Sequence, residues 1–219
     1  AVEMPGVVEI LTFDTLGVAP HHGFAPVHPD FVRPPLADGR VRFVGEPIAV
    51  VLAESFEQGE DAAAMVWADI DPLPTYVDAE DALAEGTEEI FPGHGSNEAM
   101  VIVDKPRTDL AAADVVVRGR YVNQRMAVVP MEPDCCAAEI DDNGRLTFWA
   151  STQMPHGLHA QLAAALGMEP AEIRVVTPQV GGGFGGKAGI HAEYSVVAAA
   201  ARRTGRPVVW VPPRSDDMK

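Results

Sequence analysis

The sequence predicts an α+β protein in two lobes, on three observations. Short runs of apolar and β-branched residues at 7–12, 40–53, 135–140 and 145–150 alternate with stretches of helical periodicity at 55–66, 155–166 and 191–203. An acidic, glycine-containing stretch at 78–98 reads as a surface connection. A glycine-dense heptad at 181–187 stands between a strand-type run at 172–176 and the last of those helices. The lobes are placed at 1–105 and 106–219.

The elements follow in order. Residues 7–12 read as a strand, residues 17–39 as a loop dense in Pro, Gly and His, and residues 40–53 as a second strand. Ser55 is a candidate N-cap for a helix through Val66, and Glu57, Glu60 and Asp61 put negative charge where the helix dipole favours it. Residues 67–70 look extended and are stopped by Asp71-Pro72-Leu73-Pro74. Beyond the acidic connection, residues 114–122 alternate as a strand does. The runs 135–140 and 145–150 flank Asp141-Asp142-Asn143-Gly144, a good hairpin turn because Asn-Gly tolerates positive φ. In 155–166, Leu158, Leu162, Ala165 and Leu166 share a helical face, and Gly167 supplies the stop. The final strand candidate, 208–211, runs into Pro212-Pro213.

Composition narrows the function classes. Sixteen Lys plus Arg against 32 Asp plus Glu give a formal charge of -16, a surface that repels phosphodiester backbones and disfavours nucleic acid. No uninterrupted apolar stretch is long enough to span a bilayer, and Ala1-Val2-Glu3-Met4-Pro5 lacks the basic start of a signal peptide, so a cytoplasmic location is expected. The two cysteines, Cys135 and Cys136, are adjacent, which offers neither a disulfide framework nor the spaced ligands of an iron–sulfur cluster. Any electrons this chain handles are expected to leave through another polypeptide.

The heptad Gly181-Gly182-Gly183-Phe184-Gly185-Gly186-Lys187 cannot be a core element. Glycines between a strand and a helix let the chain turn sharply and aim N–H groups outward, next to the partial positive charge of a helix N-terminus. An anionic or oxo-rich ligand is the first expectation. Gly181 to Lys187 fits the P-loop spacing G-x-x-x-x-G-K, but Ala188 stands where that loop needs Ser or Thr to hold magnesium. Gly181, Gly183 and Gly186 fit G-x-G-x-x-G, but Asp216 and Asp217 lie beyond the prolines, further on than a ribose-binding acid.

A third reading takes in the flanks. Met131-Glu132-Pro133, Trp149-Ala150-Ser151-Thr152-Gln153-Met154-Pro155-His156, Gln179-Val180 leading into the heptad, and Gly205-Arg206-Pro207-Val208 together resemble the large, molybdenum-binding subunit of the xanthine dehydrogenase, aldehyde oxidase and aerobic carbon monoxide dehydrogenase family. Residues 42–54 and Asp71-Pro72-Leu73-Pro74 look like that family's α/β hammerhead domain. The resemblance implies an N-terminally incomplete hammerhead domain at 1–105 and a C-terminally incomplete molybdenum-cofactor-binding α/β domain at 106–219. It reads as a fragment, or a naturally short version, of a molybdenum hydroxylase subunit. In such an enzyme water supplies the oxygen, two electrons reduce molybdenum, and iron–sulfur and flavin subunits carry them away. The cofactors implied are molybdenum-molybdopterin, with the cytosine dinucleotide form as one option, and FAD and [2Fe-2S] on partner subunits. The complete assembly would be a dimer of heterotrimers acting on a small molecule: carbon monoxide, an aldehyde or an N-heterocycle.

Individual residues carry paired readings. Gln153 is either an ordinary polar strand terminus or a neutral donor; by resemblance it is similar to the glutamine that hydrogen-bonds an oxygen ligand of molybdenum. Phe184 is a plug anchoring the loop, or, by resemblance, a wall of the substrate pocket. The backbone of Gly182, Gly183, Phe184, Gly185 and Gly186 would line the cofactor, with the amides of 184–186 donating to it. Lys187 is either a solvated lysine at a helix start or the partner of an anion or a structural carboxylate. Glu132 reads as structural, bonding backbone N–H groups, with a general base as the alternative; by resemblance the family's base is similar to a glutamate far downstream that this sequence does not contain. The pairs His156/His159 and His21/His22 with His28 show no third ligand at telling spacing and read as surface or capping groups, so no protein metal ligand is expected. Ala188-Gly189-Ile190 replaces the glutamate that xanthine- and aldehyde-oxidising members often carry after the lysine, and looks more like the carbon monoxide dehydrogenase branch. Two other classes stand beside this reading: a non-catalytic assembly or partner-binding piece, and a P-loop-like nucleotide binder.

Overall fold

The computed structural model describes residues 1–25, 27–102 and 113–218. The first lobe holds β1 (Val7–Leu11), α1 (Phe13–Leu16), β2 (Val50–Ala53), α2 (Phe56–Ala63) and the short α3 (Ala79–Ala82). β1 and β2 pair antiparallel, with Leu11 opposite Val50. The Ser55 hydroxyl caps α2 by accepting from Gln58 N–H at 3.4 Å, as its sequence position predicts.

The second lobe holds β3 (Cys136–Ile140), β4 (Leu146–Ala150), α4 (Pro155–Leu166), β5 (Ile173–Val176), α5 (Ala192–Thr204), β6 (Val208–Trp210) and the short α6 (Arg214–Asp217). Its sheet runs in the order β5-β4-β3-β6. β3 and β4 form the expected hairpin, and Gly144 takes φ +80 in its turn. β5 is parallel to β4, so α4 is the crossover between them. β6 pairs antiparallel with β3 at the far edge, with two strands between it and β5. The strand, glycine loop, helix and strand from β5 to β6 therefore skip two strands and do not build a Rossmann unit, which joins neighbouring parallel strands.

Leu146, Phe148 and Ala150 alternate into the core, where Leu158 and Leu162 of α4 meet them. α5 is buried along the unbroken run from Tyr194 to Ala201. It packs on β3, β4 and β6 and on α4, and α1 of the first lobe also touches it. Four consecutive alanines, Ala198 to Ala201, let a helix enclosed on several sides approach its neighbours closely. Leu11, Leu16, Val18, Leu36 and Leu52 of the first lobe belong to the same hydrophobic cluster as the second lobe's core. The seam also carries polar bonds: His21 Nε2 to Ser195 Oγ at 3.0 Å, Gln161 Nε2 to Gly23 O at 2.9 Å, and Arg206 to Glu54 at 2.9 Å. Burial and then Arg33 bring His21 down to about 4, so the ring at the seam is neutral.

Two sequence expectations fail here. Of residues 40–53 only Val50–Ala53 is a strand, because Gly45 and Pro47 interrupt the run and the Glu46 carboxylate closes a turn on Arg42 N–H and its guanidinium at 2.5 and 3.1 Å. Residues 114–122 form no strand: 113–129 are exposed and pair with no ladder among the described residues, and alternation without a partner does not make a sheet. The boundary expected near residue 105 lies outside the described residues.

Because Leu162 sits in the middle of the shared core, Leu162→Ala should lower unfolding free energy by about 2–5 kcal/mol in a urea titration. Val209→Ala, on an exposed strand position, should change it by no more than about 0.5 kcal/mol.

Candidate functional site

The site is built where β4 ends. Ser151 and Thr152 turn inward and are buried, Gln153 emerges to the surface, and Pro155 starts α4. The glycine loop crosses this strand end. Lys187 O accepts from Gln153 N–H at 2.9 Å and from the Thr152 hydroxyl at 3.2 Å, which pins the end of the loop to the end of the strand.

Lys187 itself points inward and is 1% exposed. Its ammonium donates to Ser151 Oγ at 2.8 Å, to Glu132 O at 2.8 Å and to Glu132 Oε2 at 2.9 Å, so all three donors are used. Glu132 Oε2 also accepts from the Ser151 hydroxyl at 2.5 Å and from Gly181 N–H at 2.7 Å. Partial burial pushes the Glu132 carboxyl up, but the Ser151, Lys187 and Gly181 donors outweigh it and bring it down to about 2. Of the two partners expected for Lys187, the structural carboxylate is the one found. A P-loop lysine must reach phosphates, and this one has no donor left for them.

Gln153 is held by its carbonyl end. Oε1 accepts from Gly185 N–H at 2.9 Å and from Lys187 N–H at 3.2 Å. Two backbone donors on one atom identify it as the oxygen and fix the amide's orientation. The Nε2 group makes no hydrogen bond among the described residues and stands at an exposed position, a neutral double donor ready for an acceptor. Gly183 must be glycine for this arrangement, since a Cβ there would lie 2.5 Å from Gln153 Cδ and Oε1.

Gly183 to Gly186 closes as a turn, with Gly186 N–H donating to Gly183 O at 2.8 Å. Its central residues have φ of +48 at Phe184 and +92 at Gly185, the signs of a type I′ turn. The left-handed conformation costs a residue such as phenylalanine about 1–2 kcal/mol. Phe184 is 80% exposed, so it is not a plug in the core; its ring projects from the loop and lies over Gly182. The expectation that the amides of 184–186 all donate to a ligand needs correction. The Gly185 and Gly186 N–H groups are taken up by Gln153 Oε1 and Gly183 O, so of these three amides only Phe184 N–H is left without an acceptor among the described residues.

An open cavity of about 810 Å³ lies beside the loop, with Val128, Pro130, Asp134, Gly186, His191 and Trp210 in its lining. Burial raises the Asp134 carboxyl despite His191 at 3.5 Å, and the buried His191 Nε2 has no partner among the described residues. Burial likewise pushes up the thiols of Cys135 and Cys136, which makes them packing groups and not nucleophiles. Of the expected surface histidines, His159 Nε2 faces Pro170 O and Ile173 O at 3.0 and 3.2 Å, and His28 caps a turn at Pro29–Phe31. Sequence reading missed Ser151 as the hinge of the buried network. Its place at the inward end of a strand, just before Gln153, was the available signal.

The site offers hydrogen-bond donors, orphaned polar groups and open space, but its loop supplies no side chain that ligates metal. That donor set fits a metal carried in by an organic group whose oxygens need neutral donors, and it does not fit a metal held by the protein directly. Residues 90–219 match the family model described as the molybdopterin cofactor-binding domain, and residues 1–74 that described as the aldehyde oxidase and xanthine dehydrogenase a/b hammerhead domain. The chain is 36% identical over 191 residues to the 6-hydroxypseudooxynicotine dehydrogenase complex subunit gamma of Paenarthrobacter nicotinovorans, covering 86% of this chain and 24% of that protein. It is 32% identical over 235 residues to the carbon monoxide dehydrogenase large chain of Afipia carboxidovorans, covering 100% and 29%. The aldehyde oxidoreductase structure from Desulfovibrio gigas superposes with a TM-score of 0.82 at 30% identity, over 99% of this chain and 25% of that one. The chain thus spans roughly a quarter of the length of these relatives. It belongs to the large, molybdenum-binding subunits of the xanthine dehydrogenase, aldehyde oxidase and carbon monoxide dehydrogenase family, with an α/β hammerhead domain followed by part of a molybdopterin-cofactor-binding α/β domain. Among the described residues no helix is long and apolar enough to cross a membrane.

Three outcomes follow from the buried network. Lys187→Met leaves the Glu132 carboxylate without its cation and should cost on the order of 3 kcal/mol in urea unfolding. The Glu132 carboxyl is depressed in the folded state, so its contribution is present above about 4.5 and is lost as pH falls toward about 2. Glu132→Gln should flatten stability across that window. Ala188→Thr, which restores the hydroxyl of a P-loop, should still show no MgATP binding by calorimetry, because Lys187 is already committed elsewhere.

Proposed function

We propose that this chain forms one wall of the molybdenum-cofactor site of a hydroxylase, and that Gln153 is its principal donor to the cofactor. The observation that carries this is the Gln153 amide, anchored through Oε1 by two backbone N–H groups and left with an exposed Nε2 that has no partner among the described residues. When bound, the molybdenum cofactor accepts two electrons from the substrate while water supplies the oxygen atom.

This chain's own residues position and stabilise. Gln153 Nε2 and Phe184 N–H would donate to acceptor oxygens of the cofactor, and a donor fixed in place before reaction needs no reorganisation as charge develops there. Lys187 and Glu132 do not touch the ligand in this reading: they hold the two ends of the loop that carries Gly182, Gly183, Phe184, Gly185 and Gly186. A Cβ at Gly185 would meet nothing within 4 Å, so that side of the turn is open to an approaching group. The exposed Phe184 ring is a ready wall for a planar or small apolar substrate.

Relatives named for carbon monoxide dehydrogenase, aldehyde oxidoreductase, nicotine 6-hydroxylase and quinoline 2-oxidoreductase support a substrate drawn from carbon monoxide, aldehydes and N-heterocycles. The two buried or half-buried cysteines here cannot ligate a cluster, so electrons would pass to [2Fe-2S] and FAD partner subunits.

Gln153→Glu tests the reading more cleanly than truncation does. The glutamate keeps an oxygen for Gly185 and Lys187 N–H, so the loop stays anchored, but an acceptor replaces the donor. In the assembled enzyme the rate of substrate-driven metal reduction should fall by roughly two to three orders of magnitude, the range for one lost preorganised donor, with molybdenum content and circular dichroism unchanged. Wild-type reduction kinetics in this variant would reduce Gln153 to a loop clasp.

A further inference from the structure

Away from the glycine loop, the fold gathers three metal-ligating side chains that the sequence keeps apart. We propose that His28, Asp30 and His94 form a binding site for a divalent transition ion of the zinc type. Their ligand atoms all lie within 4.8 Å of one another, and they are the one such group among the described residues. His94 Nδ1 is 2.9 Å and His28 Nδ1 3.2 Å from Asp30 Oδ2. Zinc bonds of about 2.0–2.1 Å at angles between octahedral and tetrahedral give ligand-to-ligand edges of about 2.9–3.4 Å, so both nitrogen–oxygen separations already have the size of a coordination edge. Only the histidine–histidine edge must close, and the His28 side chain, 53% exposed, is free to turn.

His28 is already turned toward the carboxylate. Its Nδ1 accepts from Asp30 N–H at 3.3 Å as the cap of the turn at Pro29–Phe31 and lies 3.2 Å from Asp30 Oδ2.

The site is also preorganised. The Glu89 carboxylate accepts from Gly93, His94 and Gly95 N–H at 2.6, 3.2 and 3.0 Å and so fixes the loop that presents His94. Phe31 packs edge-on against the His94 ring at 4.7 Å and against Phe91 at 5.2 Å. Two imidazoles and one carboxylate suit zinc, nickel, copper or ferrous iron and not magnesium, which prefers all-oxygen ligands. An ion there would clip the turn at Pro29–Phe31 to the acidic connection and leave open coordination positions facing water.

Calorimetric titration of the full chain with zinc chloride at neutral pH should show one equivalent bound, and magnesium chloride no heat. Asp30→Asn and His94→Ala should each weaken zinc binding at least about tenfold, while His156→Ala, an exposed histidine on α4, should leave it unchanged. Cobalt substitution should give visible ligand-field bands that His94→Ala abolishes. If a variant loses its circular dichroism, His28→Gln at the exposed corner gives the same comparison. No zinc equivalent in the wild type, or binding untouched by the Asp30 and His94 changes, overturns the site and leaves a hydrogen-bonded latch.

Discussion

The buried ion pair of Lys187 with Glu132 is the constraint on which the glycine loop depends. A lysine ammonium at 1% exposure is costly unless every donor is met, and here a carboxylate, a hydroxyl and a carbonyl meet all three. Those partners come from two places, the segment before β3 and the end of β4. Satisfying the lysine therefore fixes where the loop lies across the sheet. Gly181 N–H on Glu132 Oε2 holds one end of the loop and Lys187 the other, so one carboxylate anchors both.

That anchoring lets Gln153 work through both ends of its amide. A glutamine free in solvent presents either end at random, whereas two converging N–H groups select the oxygen for the loop and leave the nitrogen exposed. The same two bonds also make the turn at Phe184 and Gly185 tolerable, since positive φ at a phenylalanine persists only where the surroundings hold it. The loop's strain, its glycine content and the outward amide are one arrangement. The lobes behave similarly as a unit, because leucines of the first lobe complete the core around α5 and the neutral His21 bonds Ser195 within that seam.

Much of this was legible in the residues. The hairpin at Asn143-Gly144, the caps at Ser55 and Gly167, and the helices behind them follow from local chemistry that needs no distant partner. The joint spelling of Ser151-Thr152-Gln153 and the heptad pointed to the family, and the family models agree. What failed were readings that depend on a partner. Residues 114–122 carry a strand's alternation but meet no ladder among the described residues.

The sequence by itself determined the element types, the turn positions and the family of the site, because each rests on backbone preference or on a contiguous motif. Only the tertiary structure decided what each polar group faces. Lys187 could have met a ligand or a carboxylate, and the arrival of Glu132 from 55 residues upstream settled it. His28 had no visible third ligand until the fold brought His94 to Asp30 across 64 residues. Contacts of that span depend on how separate segments pack, and spacing along the chain carries no record of them.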